Sequence, residues 1–182
     1  MILHAFVAAM SMATPIQMSS TAQAIIEQAD SVVAQRADDI FRNGDWNTVA
    51  QLLRMRAAQF PTDYEVVTDY GFILESLEVP EDALAVYRQF EIDAPNDPDK
   101  RLPEATFWYK RKQYAVVIRV LKSELARKPH HTAYHMLALA YEKIGQLDKA
   151  IETVETLLKV YPKDETAPQL LQRLKNKKAQ VK

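Results

Sequence analysis

Residues 131–164 read HTAYHMLALAYEKIGQLDKAIETVETLLKVYPKD. Up to Ile144-Gly145-Gln146, the large and small residues Tyr134, Leu137, Ala138 and Tyr141 recur at spacings of three and four, and beyond that break Ala150 and Val154 resume the pattern. This period places each set on one face of a helix. Pro162 then closes the second stretch, because a proline cannot donate the next backbone hydrogen bond. The segment therefore predicts two helices joined by a short turn.

The same ending recurs upstream. Pro61, Pro95, Pro129 and Pro162 lie 34, 34 and 33 residues apart, after Gln59-Phe60, Asp93-Ala94, Arg127-Lys128 and Val160-Tyr161. Before each proline, two helical patterns are separated by Asn43-Gly44-Asp45, Glu78-Val79-Pro80, Arg111-Lys112-Gln113 or Ile144-Gly145-Gln146. The third break has neither glycine nor proline. Aligned in this way, the units are 30–63, 64–97, 98–130 and 131–164. A small residue recurs in the first helix at Ala37, Gly71, Ala105 and Ala138, followed three positions later by Ile40, Leu74, Trp108 and Tyr141. The second helix carries Val49, Ala83, Val117 and Ala150, then Leu53, Tyr87, Leu121 and Val154 four positions on. Small residues let paired helices approach, and large ones fill the space beside them. A side chain added at Gly71 is expected to overpack, at about 1–3 kcal/mol.

A period of this length, with these residues in order, resembles the tetratricopeptide repeat family, whose unit runs W-x2-L-G-x2-Y, A-x3-F, P. The fourth unit fits best, through Tyr134, Leu137, Ala138, Tyr141, Gly145, Ala150, Val154 and Pro162; the second supplies Tyr70, Gly71, Leu74, Ala83, Tyr87 and Pro95. The resemblance covers residues 30–164. Departures from the pattern are Arg36, Arg101 and Glu104 in large first-helix slots, and Arg56, Phe90, Glu124 and Leu157 where alanine is usual in the second helix. Pro103 near the start of a first helix predicts that this helix is short or kinked. The resemblance implies an all-α, right-handed solenoid of antiparallel helix pairs. Residues 165–182 are expected to add a basic capping helix starting near Pro168, with Leu170, Leu171 and Leu174 facing the last repeat.

Composition narrows the chemistry. The 182 residues include three glycines, nine prolines and no cysteine. Three isolated glycines cannot form a glycine-rich phosphate loop. Without cysteine there are no disulfides, thiolate metal sites or cysteine nucleophiles. The net charge of −1 points to no nucleic-acid partner. It conceals an asymmetry, however: unit 64–97 has nine acids against Arg88 alone, a net of −8, while unit 98–130 has nine basic residues against Asp99, Glu104 and Glu124, a net of +6. Complementary neighbouring repeats explain this most simply, and a dipolar surface that steers a partner or supports head-to-tail association is the alternative. Lys110-Arg111-Lys112 beside Trp108, Tyr109 and Tyr114 does not make a nucleic-acid surface, because Trp108 and Tyr114 occupy core slots.

Residues 1–24 are uncharged. Ile2 to Met18 are apolar or small, but His4, Ser11, Thr14 and Pro15 interrupt the run, so no stable membrane span is expected. Ala22-Gln23-Ala24 supplies an A-x-A ending, which reads as a secretory signal cleaved after Ala24, although no Lys or Arg precedes the apolar run. This reading puts the protein in the periplasm or outside the cell, with residues 25–164 as the mature solenoid. The alternative is a cytoplasmic chain that keeps an apolar docking helix.

In the family it resembles, first helices line a concave groove that holds a peptide or helix. The slots carried over are Ala34, Asp38, Phe41 and Arg42; Thr68, Phe72, Glu75 and Ser76; Leu102, Thr106, Tyr109 and Lys110; and His135, Leu139, Glu142 and Lys143. Phe41, Phe72, Tyr109 and Leu139 are expected as apolar anchors, with Arg42, Lys110 and Lys143 gripping carboxylates. Ala34 and Asp38 replace the Lys and Asn with which chaperone-associated members clamp acidic C-termini. His131 and His135 are one helical turn apart, a spacing compatible with metal, but the sequence shows no third ligand beyond His130, and neither metal nor cofactor is expected. Nor can a nucleophile, base and orienting group be assembled, so no enzyme is expected. The expected function is a protein–protein interaction module, an adaptor or assembly factor. The alternative is a self-associating scaffold that uses the apolar N-terminal segment and the acidic and basic repeat faces.

Overall fold

A computed structural model describes residues 19–180. Residues 1–18 of the signal-sequence reading lie outside the described residues. Helix α1 (Ser20–Arg42) begins at Ser20 and runs unbroken past Ala24 and Ile25. It pairs with α2 (Trp46–Gln59); α3 (Tyr64–Ser76) with α4 (Pro80–Asp93); α5 (Leu102–Lys110) with α6 (Tyr114–Leu121); and α7 (His131–Lys143) with α8 (Leu147–Val160). Helix α9 (Ala167–Gln180) follows, and all elements among the described residues are helical. No described helix is long and apolar enough to cross a membrane.

One turn is built four times. Gly44, Glu78, Lys112 and Gly145 all adopt left-handed backbone, with φ of 80°, 61°, 59° and 78°. Behind each, the same pair of backbone bonds closes the first helix: in the fourth unit Gly145 N–H donates to Glu142 O (3.1 Å) and Gln146 N–H to Tyr141 O (2.9 Å). This is the helix-ending arrangement that satisfies the last carbonyls. Arg111-Lys112-Gln113 therefore turns as its neighbours do, at the energetic cost of a side chain at positive φ. After three of the four prolines a side chain one or two places on caps the next first helix; α5, which starts after Arg101, has no such cap. Asp63 Oδ1 accepts from Val66 N–H (3.1 Å), His130 Nδ1 from Thr132 N–H (3.4 Å) and Asp164 Oδ1 from Ala167 N–H (2.8 Å).

The paired slots form the core. Ala37, Gly71, Ala105 and Ala138 are buried against Leu53, Tyr87, Leu121 and Val154 on the partner helices. Successive cores merge through shared aromatics: Tyr70 joins the first to the second, and Tyr64 and Trp108 join the second to a larger C-terminal core. Helix α9 belongs to that last core, with Leu174 buried and Leu170 and Leu171 packed against it.

The third pair departs from its neighbours. Pro103 stands in the first turn of α5, which is only nine residues long, as its position predicts. Helix α6 stops after eight residues, followed by a 3-10 turn at Glu124–Arg127 and left-handed Lys128. The slot that holds buried Phe90 and Leu157 in adjacent units holds Glu124 here. A buried carboxylate needs cationic partners. Glu124 lies 3.6 Å from Arg101 Nε and 3.5 Å from Arg127 Nε, while its Oε2 makes no hydrogen bond.

Gly71 shows how tightly the pairs are fitted. A Cβ built at this residue would overlap Cε1, Cζ and the hydroxyl of Tyr87, whereas alanine serves the other three units, whose facing residues are Leu or Val. Gly71→Ala is expected to destabilise the chain by about 1–3 kcal/mol in denaturant unfolding. Adding Tyr87→Leu should recover most of that loss. A double variant no more stable than Gly71→Ala would show that the ring is not the obstacle.

Candidate functional site

The first helices α1, α3 and α5 present a trough. Its first hollow, about 410 Å³, is lined by Ala34, Phe41, Arg56, Asp63, Glu65 and Phe72, among others. A second, about 280 Å³, is lined by Thr68, Phe72, Thr106 and Lys110 with Tyr64 and Tyr87. Asp69 and Phe72 border both, so the two hollows adjoin. Six of the groove positions expected from sequence, Ala34, Phe41, Thr68, Phe72, Thr106 and Lys110, therefore line one continuous surface.

Two of its rings remain accessible. Phe72 is 47% exposed and Phe41 38%, the latter packed edge-on against Trp46 with centroids 4.7 Å apart. The wall around them is acidic. Arg56, the one cation among the described residues lining the first hollow, is held by Asp30 through Nε–Oδ1 (2.7 Å) and Nη2–Oδ2 (2.9 Å). Asp63 and Glu65 add two further carboxylates beside the apolar floor.

Of the expected groove cations, Lys110 is engaged within the solenoid. Lys110 Nζ is 3.2 Å from Glu75 Oε1 and lies 5.7 Å over the Phe72 ring. Arg111 Nη1 is 2.9 Å from Glu75 Oε2, and the Tyr87 hydroxyl donates to Glu75 Oε1 at 3.0 Å. Burial would raise the Glu75 pKa, but the bonds from Arg111, Tyr87 and Lys110 hold it below the ordinary value. Glu75 and Lys110 thus bind each other across a repeat boundary, rather than presenting free charges to a partner. Arg42 is exposed beside Asp39 (3.6 Å).

The fourth repeat is built differently. Glu142, carried over as a groove residue, is buried: Arg173 donates to both of its oxygens (2.7 and 2.8 Å) and Lys177 to Oε1 (3.0 Å). The reason is register. Glu75 and Glu142 occupy the same slot, and in both cases the lysine 35 residues later, Lys110 or Lys177, meets the carboxylate. Helix α9 consequently sits where a fifth first helix would, over residues expected in the groove. Tyr109 is half-buried edge-on against Tyr114 (5.5 Å), Leu139 is half-buried in α7, and Lys143 is exposed at its end. His135 does not join the aromatic trough; its Nε2 lies 3.0 Å from Asp164 Oδ2. The side chain of Asp38 lies outside the described residues.

Asp164 was missed by sequence reading. It meets both His131 (Nδ1–Oδ2, 2.9 Å) and His135, and so supplies the third group that local spacing did not reveal. The signal was available in the period, because Asp164 lies 33 residues after His131 and opens the helix stacked beside α7.

Residues 109–174 match the tetratricopeptide repeat family model. The fold is of the tetratricopeptide repeat type. MamA from Desulfovibrio magneticus RS-1 (residues 41 to the end) superposes with a TM-score of 0.60 at 24% identity, over 82% of this chain and 85% of that one. PilF from Pseudomonas aeruginosa gives 0.63 at 15% identity, over 85% and 71%. The second tetratricopeptide domain of human RPAP3, solved with the HSP70 peptide SGPTIEEVD, gives 0.51 at 18% identity, over 60% and 92%. At these identities the likeness is one of fold. No curated protein sequence matches the chain.

The ion pairs between tetratricopeptide units set an acid limit. Burial acts to raise the Glu142 pKa, yet the bonds from Arg173 and Lys177 outweigh it and hold the group below its ordinary 4.5. A depressed carboxylate stabilises the fold above its unfolded pKa and loses that contribution as pH falls through the folded value. Glu142→Gln is therefore expected to destabilise the chain by about 1–3 kcal/mol at neutral pH. In thermal melts, the gap from the parent should close as pH drops below 4.5. A gap that stays constant with pH would rule out the charged pair as its cause.

Proposed function

We propose that the chain is a non-catalytic interaction module whose concave trough holds a segment of another protein, as a helix or extended strand. The observation that carries this reading is the pair of adjoining hollows sharing Phe72, with the rings of Phe41 and Phe72 exposed in them. Solvent-exposed rings in a concave, partly apolar surface are efficient anchors, because they gain burial on binding while losing few rotamers.

The electrostatics define the partner further. With Arg56 held by Asp30 and Lys110 by Glu75, the carboxylates of Asp63 and Glu65 make the wall around Phe41 and Phe72 net negative. A fitting segment carries apolar side chains one helical turn or one strand repeat apart, flanked by Lys or Arg. This favours a basic-apolar ligand over an acidic C-terminus. It agrees with the absence of the clamp residues at Ala34 and Asp38 and differs from the acidic HSP70 peptide that the second RPAP3 domain holds.

Peptides selected from a random displayed library against the purified chain should be enriched in apolar residues flanked by Lys or Arg. Phe72→Ala should weaken them by about tenfold or more, roughly 1.4 kcal/mol, with helicity by circular dichroism unchanged. Their affinity should also fall as salt rises. Selected peptides that bind Phe72→Ala as tightly as the parent would place the binding surface elsewhere on the solenoid.

A further inference from the structure

A second cluster, away from the trough, joins α7 to the turn before α9. His131 and His135 share one face of α7, four residues apart, and Asp164 reaches them from the adjoining turn. One ligand atom from each of the three residues lies within 4.8 Å of the other two. In a tetrahedral zinc site with bonds of about 2.0–2.1 Å, donor atoms stand about 3.3 Å apart. The two N···O separations, His131 Nδ1 and His135 Nε2 to Asp164 Oδ2, are 2.9 and 3.0 Å, already near that distance.

The two carboxylate oxygens divide the work. Oδ1 of Asp164 starts α9, accepting from Thr166 N–H (3.0 Å), Ala167 N–H (2.8 Å) and the Thr166 hydroxyl (3.0 Å). Oδ2 faces the imidazoles and makes no backbone bond. The Thr166 hydroxyl also lies 3.1 Å from His135 Nε2, placing a further oxygen beside the cluster. The Asp164 side chain is almost fully buried, His135 is largely buried, and His131 is 44% exposed. The open side leads to a hollow of about 700 Å³, lined by His131, Tyr161, Pro162, Asp164 and Thr166. A monodentate carboxylate and two imidazoles on packed elements, with one side reachable from water, suit a borderline divalent ion of the late first transition row.

We infer that His131, His135 and Asp164 form a binding site for a Zn²⁺-class divalent cation that ties the fourth repeat to α9. Before binding, the imidazoles donate to Oδ2. Binding shifts each ring to its other neutral tautomer, so that His131 Nδ1 and His135 Nε2 offer lone pairs and water completes the coordination. Because the ion bridges α7 and the start of α9, it binds the docked form of that helix and stabilises it by mass action.

Zinc chloride titrated calorimetrically into the full, tag-free chain, after treatment with a chelator, provides the test. We expect one equivalent to bind, and the melting temperature to rise by about 5–10 °C at a hundredfold excess over Kd. Loss of outer-shell partners alone lowers metal affinity by about 10–100-fold. Removing a ligand, in His131→Ala, His135→Ala or Asp164→Asn, should therefore lower affinity by at least about 100-fold. Asp164→Asn keeps a good helix-capping residue, so its metal-free melting temperature should stay close to that of the parent. His130→Ala should bind zinc as the parent does. Absence of a one-equivalent event, or an affinity unmoved by His135→Ala and Asp164→Asn, would overturn the site.

Discussion

Each helix pair is held at a separation that only a small side chain permits, and much of the solenoid follows from that approach. At Gly71 the approach is closest, because the facing residue is a tyrosine ring. The ring does more than fill the gap. Its hydroxyl reaches Glu75, and Glu75 in turn holds Lys110 and Arg111 of the next repeat. Lys110 is thereby placed over Phe72, the ring shared by both hollows of the trough. A packing decision inside one repeat is thus transmitted, through one carboxylate, to the geometry of a boundary and to the accessible face.

The carboxylate contacts also explain why a chain of net charge −1 segregates its charges so strongly. Acidic unit 64–97 meets basic unit 98–130 through Glu75 with Lys110 and Arg111, Glu91 with Arg101, and Arg88 with Glu104. Exposed pairs contribute little, about 0–1 kcal/mol each. Glu75, Glu104 and Glu142 are largely shielded from water, however, and a shielded carboxylate left without its cation is costly. Their value is in register: they penalise a repeat stacked one position out of place.

The helix pairs, their turns and the small and large slots were legible in the sequence because each rests on a local period. Even Arg111-Lys112-Gln113, which lacks a glycine, turned where the 34-residue spacing put it. Glu124 shows where that logic ends, since the period marks its slot but not how a buried carboxylate reshapes α6. Glu142 and Lys110 show a second limit. Groove positions carried over by slot assume an open face, whereas Lys110 is taken up by Glu75 of α3 and Glu142 by Arg173 and Lys177 of α9. The meeting of His131 and His135 with Asp164 depends on how stacked units align, and neither helical spacing nor composition encodes it alone.

We propose recognition at the aromatic trough across α1, α3 and α5, with the outer helices as scaffold. Amide chemical-shift mapping of the isotope-labelled chain, titrated with a library-selected peptide, tests this most directly. The largest shifts are expected to cluster at Phe41, Asp69, Phe72 and Thr106. Shifts centred instead on the exposed outer residues Met55 of α2 and Ile92 of α4 would contradict it.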